Sequence, residues 1–286
     1  MQPSKRRHAL ISLILRLILA VIVLTYALGP VLWTVSAAFN PTNGLSGQKL
    51  IPASPTLKHF ATILSERPFG QWMLNSLKVS GISALCSVFI TMLAAYSFSR
   101  FRFAGRNQLL LMVLLVQVFP ALLTMAALYA LMRQIGEYVP WLGFNSHGGL
   151  ILLYMGGAMG INVWLMKGFF DSIPREIDES AMIDGASHWR IFWSIIFPLA
   201  RPIIAVVALL AFVGTYSDWV LARIMIQDSQ QFTLMLGLQQ FIQDNYGQNW
   251  GPYTAGAILG ALPIIVIYIV LQDYIVGGLT RGAVKG

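Results

Sequence analysis

The sequence predicts an all-α, polytopic membrane protein with six transmembrane helices. Three observations carry that expectation. The 286 residues are 57% hydrophobic and only 10% charged, whereas a soluble domain carries about a quarter charged residues. The mean hydropathy is +0.69. The apolar residues gather in runs close to the ~20 residues that a bilayer-spanning helix needs. A soluble enzyme, a disordered chain and a coiled coil do not fit this composition. Cys86 is the only cysteine, which leaves no disulfide framework and no cysteine metal cluster.

The runs are Leu10–Trp33, Val79–Ser99, Leu109–Met132, Leu150–Met166, Pro202–Tyr216 and Tyr253–Gln272. Each can satisfy its backbone in lipid only as a helix, since barrel strands would be shorter and alternate in polarity. The first run is too long for a signal-peptide core. It ends in Gly29-Pro30 and Trp33 rather than a small-residue cleavage site, so an uncleaved helix is expected. The fifth run is short unless it continues past Asp218. Pro120 and Pro263 are expected to bend the third and sixth spans. Gly156-x-x-x-Gly160 and Gly256-x-x-x-Gly260 are small-residue faces suited to close helix packing.

An even number of spans puts both termini on one side. Placing that side in the cytoplasm puts most of the 19 Lys and Arg inside: Lys5, Arg6, Arg7, Arg16, Arg100, Arg102, Arg106, Lys167, Arg175, Arg190, Arg201, Arg281 and Lys285. This is the positive-inside asymmetry. The net charge of +8 therefore reports topology rather than nucleic-acid binding. Residues 1–72 form an N-terminal span with an outer loop. Residues 73–286 form the core, with a long inner loop at 167–201. No internal repeat is visible.

The chain carries no G-x-x-x-x-G-K-[ST] phosphate loop, no H-E-x-x-H and no G-x-S-x-G. His8, His59, His147 and His188 are scattered without ligand spacing, so no metal site is expected. Asp171, Glu176, Asp178, Glu179 and Asp184 read as solvated charges at the inner water interface.

The informative segment lies in the inner loop. Ser172 and Pro174 mark a helix start, and Glu176, Asp178 and Glu179 suit its N-terminal dipole. Gly185 fits a left-handed helix end. Ser187 fits an N-cap for a second helix, which Pro198 is expected to help close. Ala181, Gly185 and Ala186 would let another backbone approach, with Ile177 and Ile183 as apolar anchors. On these grounds alone an interfacial amphipathic hairpin fits as well. The pattern Glu179-Ser180-Ala181, then Gly185, Ile195 and Phe197-Pro198 resembles the EAA motif of ABC importer permeases, E-A-A-x-x-x-G followed by I-x-L-P. Ser180 and Phe197 depart from it. Gly277-Gly278 through Lys285-Gly286 resembles the tail of the carbohydrate branch. Phe119–Leu122, Leu128–Leu131, Gly136–Pro140 and Asn145–Gly149 resemble its maltose/maltodextrin members.

The resemblance implies the type I ABC importer fold and a bacterial or archaeal cytoplasmic membrane. It implies alternating access with Glu179, Ser180, Ala181, Asp184, Gly185 and Ala186 in a coupling helix against an ATPase. Arg281, Lys285 and Gly286 would be C-terminal ATPase contacts. The implied partners are a homologous second permease, an ATPase dimer that binds ATP and Mg, and a soluble solute-binding protein. The implied cargo is an oligosaccharide; trehalose or a polyol is the alternative, and a polytopic enzyme or channel a more distant one. This chain itself would hold no cofactor and would not be an enzyme.

The outer stretch Leu236–Trp250 interleaves amides with aromatics. Gln239, Gln240, Gln243 and Asn245 offer donors and acceptors for sugar hydroxyls, and Phe241 offers a ring face. The plain alternative is a polar loop with an interfacial aromatic belt. The resemblance implies a loop that reaches the binding protein's sugar cleft. Gln117 and Asn162 are candidates for a sugar path. Asp218 is expected to pair with Arg223 in a structural or interfacial role rather than a transport role.

Overall fold

A computed structural model describes residues 3–44, 48–243 and 249–283. In chain order the helices are α1 (Pro3–Phe39), α2 (Lys58–Ser65), α3 (Phe69–Arg100), α4 (Arg106–Val118), α5 (Ala121–Tyr138), α6 (His147–Ser172), α7 (Arg175–Ile183), α8 (His188–Ile191), α9 (Phe197–Tyr216), α10 (Val220–Met225), α11 (Leu234–Gln239) and α12 (Trp250–Ala283). The described residues contain no strand. Four helical stretches are long and apolar enough to cross a bilayer, and two bent pairs bring the number to six if each pair is one span.

The expected runs differ from the helices at two places. The third run is broken into α4 and α5, which meet at 104°. Pro120 sits at the break with extended ψ of 119°, and its missing N–H and ring clash prevent one continuous helix. Pro263, in contrast, lies inside an uninterrupted α12. The fifth run begins earlier than expected, because His188–Tyr216 forms one continuous stretch. Pro198 does not close a helix there. A π-helical turn, Phe192–Ile196, joins α8 to α9, and the Phe197 N–H reaches back to Phe192 O. Widening the turn just ahead of Pro198 accommodates a residue that cannot donate an i→i−4 bond.

The chain forms two compact units, residues 1–69 with 238–260, and residues 70–237 with 261–286. In the first, α1 exposes Leu10, Val21 and Leu32; among its described side chains Ser36 to Ala38, at its end, are buried, and so is Asn40 just beyond it. The exposed apolar surface of this helix suits a lipid surround. Ile63 and His59 of α2 are buried, and His59 Nε2 lies 2.7 Å from Asn40 O. Gly256 permits a close approach here, since a Cβ would fall 2.3 Å from Leu238 Cδ2 and 2.4 Å from Ile63 Cδ1.

In the second unit, α6 packs on α9 and on α4. Its core includes Met166, Phe170, Ile191, Phe192 and Ile196. Tyr96 of α3 meets Phe192 at 4.9 Å and Phe170 at 6.4 Å between ring centroids. Ser76, Ser80, Ser83, Ser87 and Thr91 recur along one buried face of α3, small enough for helices to approach closely.

Candidate functional site

The hairpin around Gly185 is built by local rules. Pro174 precedes α7, and Glu176 and Asp178 stand in its first turn, where the helix dipole favours acids. Gly185, at φ +81°, ends the helix. Its N–H bonds Met182 O at 3.0 Å, and the Ala186 N–H bonds Ala181 O at 2.9 Å, which is the Schellman closure. The Ser187 hydroxyl then accepts from the Arg190 N–H and caps α8. Helix, glycine turn and capped helix are thus as expected, although the second helix runs on into the membrane.

One expectation about the faces of α7 is corrected. Ile183 is 86% exposed, and Ile177 and Met182 are exposed as well, so these apolar groups are free to meet another surface. Asp178, expected in solvent, is buried. Its Oδ2 lies 2.5 Å from Arg100 Nε at the end of α3. Burial pushes its carboxyl above the usual aspartate range, opposed by Arg100, Arg175 and His188. Asp171 is also engaged: it accepts from Ser99 Oγ at 2.7 Å and pairs with Lys167. Arg175 donates to Ser99 O at 2.8 Å, and Arg100 donates to Ile173 O at 3.1 Å. Glu179, Ser180, Asp184 and Gly185 are exposed, and Ala181 and Ala186 are half-buried. With Trp189, 60% exposed, they leave an open inner surface of mixed apolar and acidic character.

The outer stretch has a fixed base. The Asn249 N–H bonds Phe241 O at 2.9 Å, the Trp250 N–H bonds Asn43 O at 2.8 Å, and Asn43 Nδ2 donates to Asn249 Oδ1 at 3.1 Å. Phe241 is not available to a sugar ring. It is buried, with the Arg67 guanidinium 5.3 Å from its centroid, so it holds the base of the loop. Gln239 is half-buried, whereas Gln240 and Gln243 are exposed. Asn245, Lys285 and Gly286 lie outside the described residues. Arg281 falls on α12, but its side chain also lies outside them.

The two amides within the spans part company. Asn162 is buried. Gln117 is exposed at the end of α4, and a Cβ on Gly160 would lie 1.6 Å from its Nε2. Gly156 has open space around it, so only the second glycine of that pair makes a close approach. Asp218 accepts from Tyr154 Oη at 2.7 Å and from the Ala222 N–H at 3.2 Å. It ties α6 to α10, the partners being Tyr154 and the α10 backbone instead of Arg223. Among the described residues no group of three His, Cys, Asp or Glu could hold a metal.

Residues 87–281 match the family described as binding-protein-dependent transport system inner membrane component. The chain belongs to that family. The match runs from the middle of α3 into α12 and includes the whole inner hairpin. The maltose/maltodextrin permease MalG of Vibrio vulnificus (strain YJ016) is 39% identical over 272 residues, covering 90% of each chain. MalG of Escherichia coli K12 is 36% identical over 100% of this chain and 99% of its own. The galactooligosaccharide permease GanQ of Bacillus subtilis 168 is 41% identical over 100% and 99%. A bacterial ABC transporter that imports alginate shares the fold, with TM-score 0.75 and 21% identity over 96% of this chain and 98% of that one. This permease is therefore an inner-membrane subunit of an ABC carbohydrate importer.

Sequence reasoning passed over Arg100 and Asp178 of this permease. By residue type Ile177 and Ile183 read as apolar anchors and Asp178 as a solvated charge. Only the arrival of a guanidinium from α3 accounts for a buried aspartate here. The available signal was an arginine closing an apolar run, which the positive-inside count had already explained.

Proposed function

We propose that this permease carries maltose and maltodextrins across the cytoplasmic membrane, with both termini in the cytoplasm. It works with a second permease, a soluble binding protein and an ATPase dimer that binds ATP and Mg. The maltose/maltodextrin relatives, 36–39% identical over nearly the whole chain, carry the substrate reading. Relatedness of the same order to a galactooligosaccharide permease supports a galactooligosaccharide as the second reading. Uptake of radiolabelled maltotriose and galactotriose by cells that lack only this chain, with and without its return, separates the two. Return of galactotriose uptake alone would overturn the first.

In this reading the hairpin around Gly185 receives the ATPase. The exposed Met182, Ile183 and Trp189 supply apolar area, and Glu179 and Asp184 supply charges for basic partner groups. The purified chain on its own should neither bind nor hydrolyse ATP, because its sequence lacks a phosphate-cradling loop. Nucleotide-dependent phosphate release from the partner-free chain would sink the division of labour.

The outer loop faces the binding protein and offers Gln240 and Gln243 to its sugar cleft. Replacing both by Ala should leave stability within about 0.5 kcal/mol, as for exposed substitutions elsewhere. More radiolabelled sugar should stay on the docked binding protein in the ATP-trapped complex. Equal retention with wild-type uptake would leave these amides as plain surface.

A further inference from the structure

Arg100 occupies the meeting point of three elements. Its Nε faces Asp178 on α7, one terminal nitrogen reaches Ile173 O in the turn after α6, and the other approaches Ser99 Oγ at 3.4 Å. The Arg100 and Asp178 side chains are only 6% and 8% exposed. Chain connectivity ties α7 to α6 through Ile173 and Pro174, but nothing in the connectivity ties α7 to α3. That link is made by the ion pair and by Arg175 on the Ser99 carbonyl near the end of α3, where a cation suits the helix C-terminus. A buried ion pair is an expensive way to fill space, and apolar residues of similar volume often do as well or better. The close approach of the two charges, with Arg100 also bonded to Ile173 O, instead holds one helix against another in a single register.

We propose that the Arg100–Asp178 pair is a strut that makes the coupling helix and the inner end of α3 move as one body. Motion received at the hairpin then passes directly to α3 as well as through the chain to α6. Arg100 and Asp178 are positioning residues for coupling and touch neither sugar nor nucleotide. The proposal rests on the permease reading above.

The test uses the complete importer, with all its subunits, in liposomes. Arg100→Gln and Asp178→Asn should each raise the ATP hydrolysed per sugar transported by about tenfold, because a strut that slips loses transport before hydrolysis. Arg100→Lys should retain most of the coupling. Breaking a buried pair also destabilises, so a second variant reads motion independently of folding. Arg100→Cys and Asp178→Cys are combined in a Cys86→Ser background, and one preparation is measured before and after joining by a short bis-methanethiosulfonate linker. Joining should raise uptake and lower the ATP-to-sugar ratio towards wild type. Uptake that stays the same or falls on joining would overturn the strut, since it would mean that α3 and α7 gain nothing from being held or must separate. Uptake by the unmodified importer reads the permease assignment separately.

Discussion

Gly185→Trp should abolish sugar uptake by the assembled importer while the chain remains inserted in the membrane. Two effects combine. At φ +81° any Cβ is strained by about 1–2 kcal/mol, which weakens the turn between α7 and α8. That strain alone does not stop transport. A Cβ at this position meets no atom within 4 Å in this chain, so the hairpin has room for the substitution. The larger effect comes from what must approach the turn. An indole placed between Asp184 and Ala186, beside the exposed Ile183, would stand where a docking ATPase needs a small residue. Gly185→Asn separates the two effects, because Asn tolerates the left-handed conformation and is much smaller. It should keep substantial uptake. Co-purification of the ATPase is the second readout, and it should be lost with Trp and retained with Asn. Normal transport by a normally assembled Gly185→Trp importer would show that the turn is not the contact.

The spans and the ends of the hairpin were legible because each rests on short-range chemistry. Apolar length sets the spans, Pro120 breaks one of them, and Gly185 and Ser187 supply local closures whose partners lie within a few residues. Pro198 was misread because proline has two local solutions. It can end a helix, or a π-helical turn can precede it and let the helix continue; residues 188–216 are apolar enough to favour continuation into the bilayer. Asp178 and Phe241 were misread for another reason. Each looks like surface by its neighbours in sequence, Asp178 among acids and Phe241 among amides. Each is drawn inward by an arginine distant in sequence, Arg100 in one case and Arg67 in the other. Composition and periodicity carry no information about such pairings. The glycine pairs show the same boundary: small-xxx-small spacing is the same in both, yet Gly156 faces open space while Gly160 and Gly256 abut neighbours.

Phe241→Ala should destabilise the unit of residues 1–69 and 238–260 far more than any change to the glutamines around it. The ring is only 5% exposed, and truncating a buried Phe costs about 3–5 kcal/mol. The Arg67 guanidinium over the ring adds about 0.5–2 kcal/mol, depending on its desolvation. The loss falls where Phe241 O holds the Asn249 N–H, so the loop between them loses its closure as well as its anchor. A wholesale exchange of residues 239–245 for Gly and Ser would therefore mix two effects, the loss of sugar-facing amides and the collapse of their support. Separating them requires single changes. Phe241→Ala should lower the thermal midpoint of the solubilised importer and speed proteolysis of the outer loop. Phe241→Leu should do so by a smaller amount, and Gln240→Ala should leave both unchanged. If Phe241→Ala melts at the same temperature as Gln240→Ala and resists protease equally, the ring is not a support. Its carbonyl bond to Asn249 would then suffice to hold the loop.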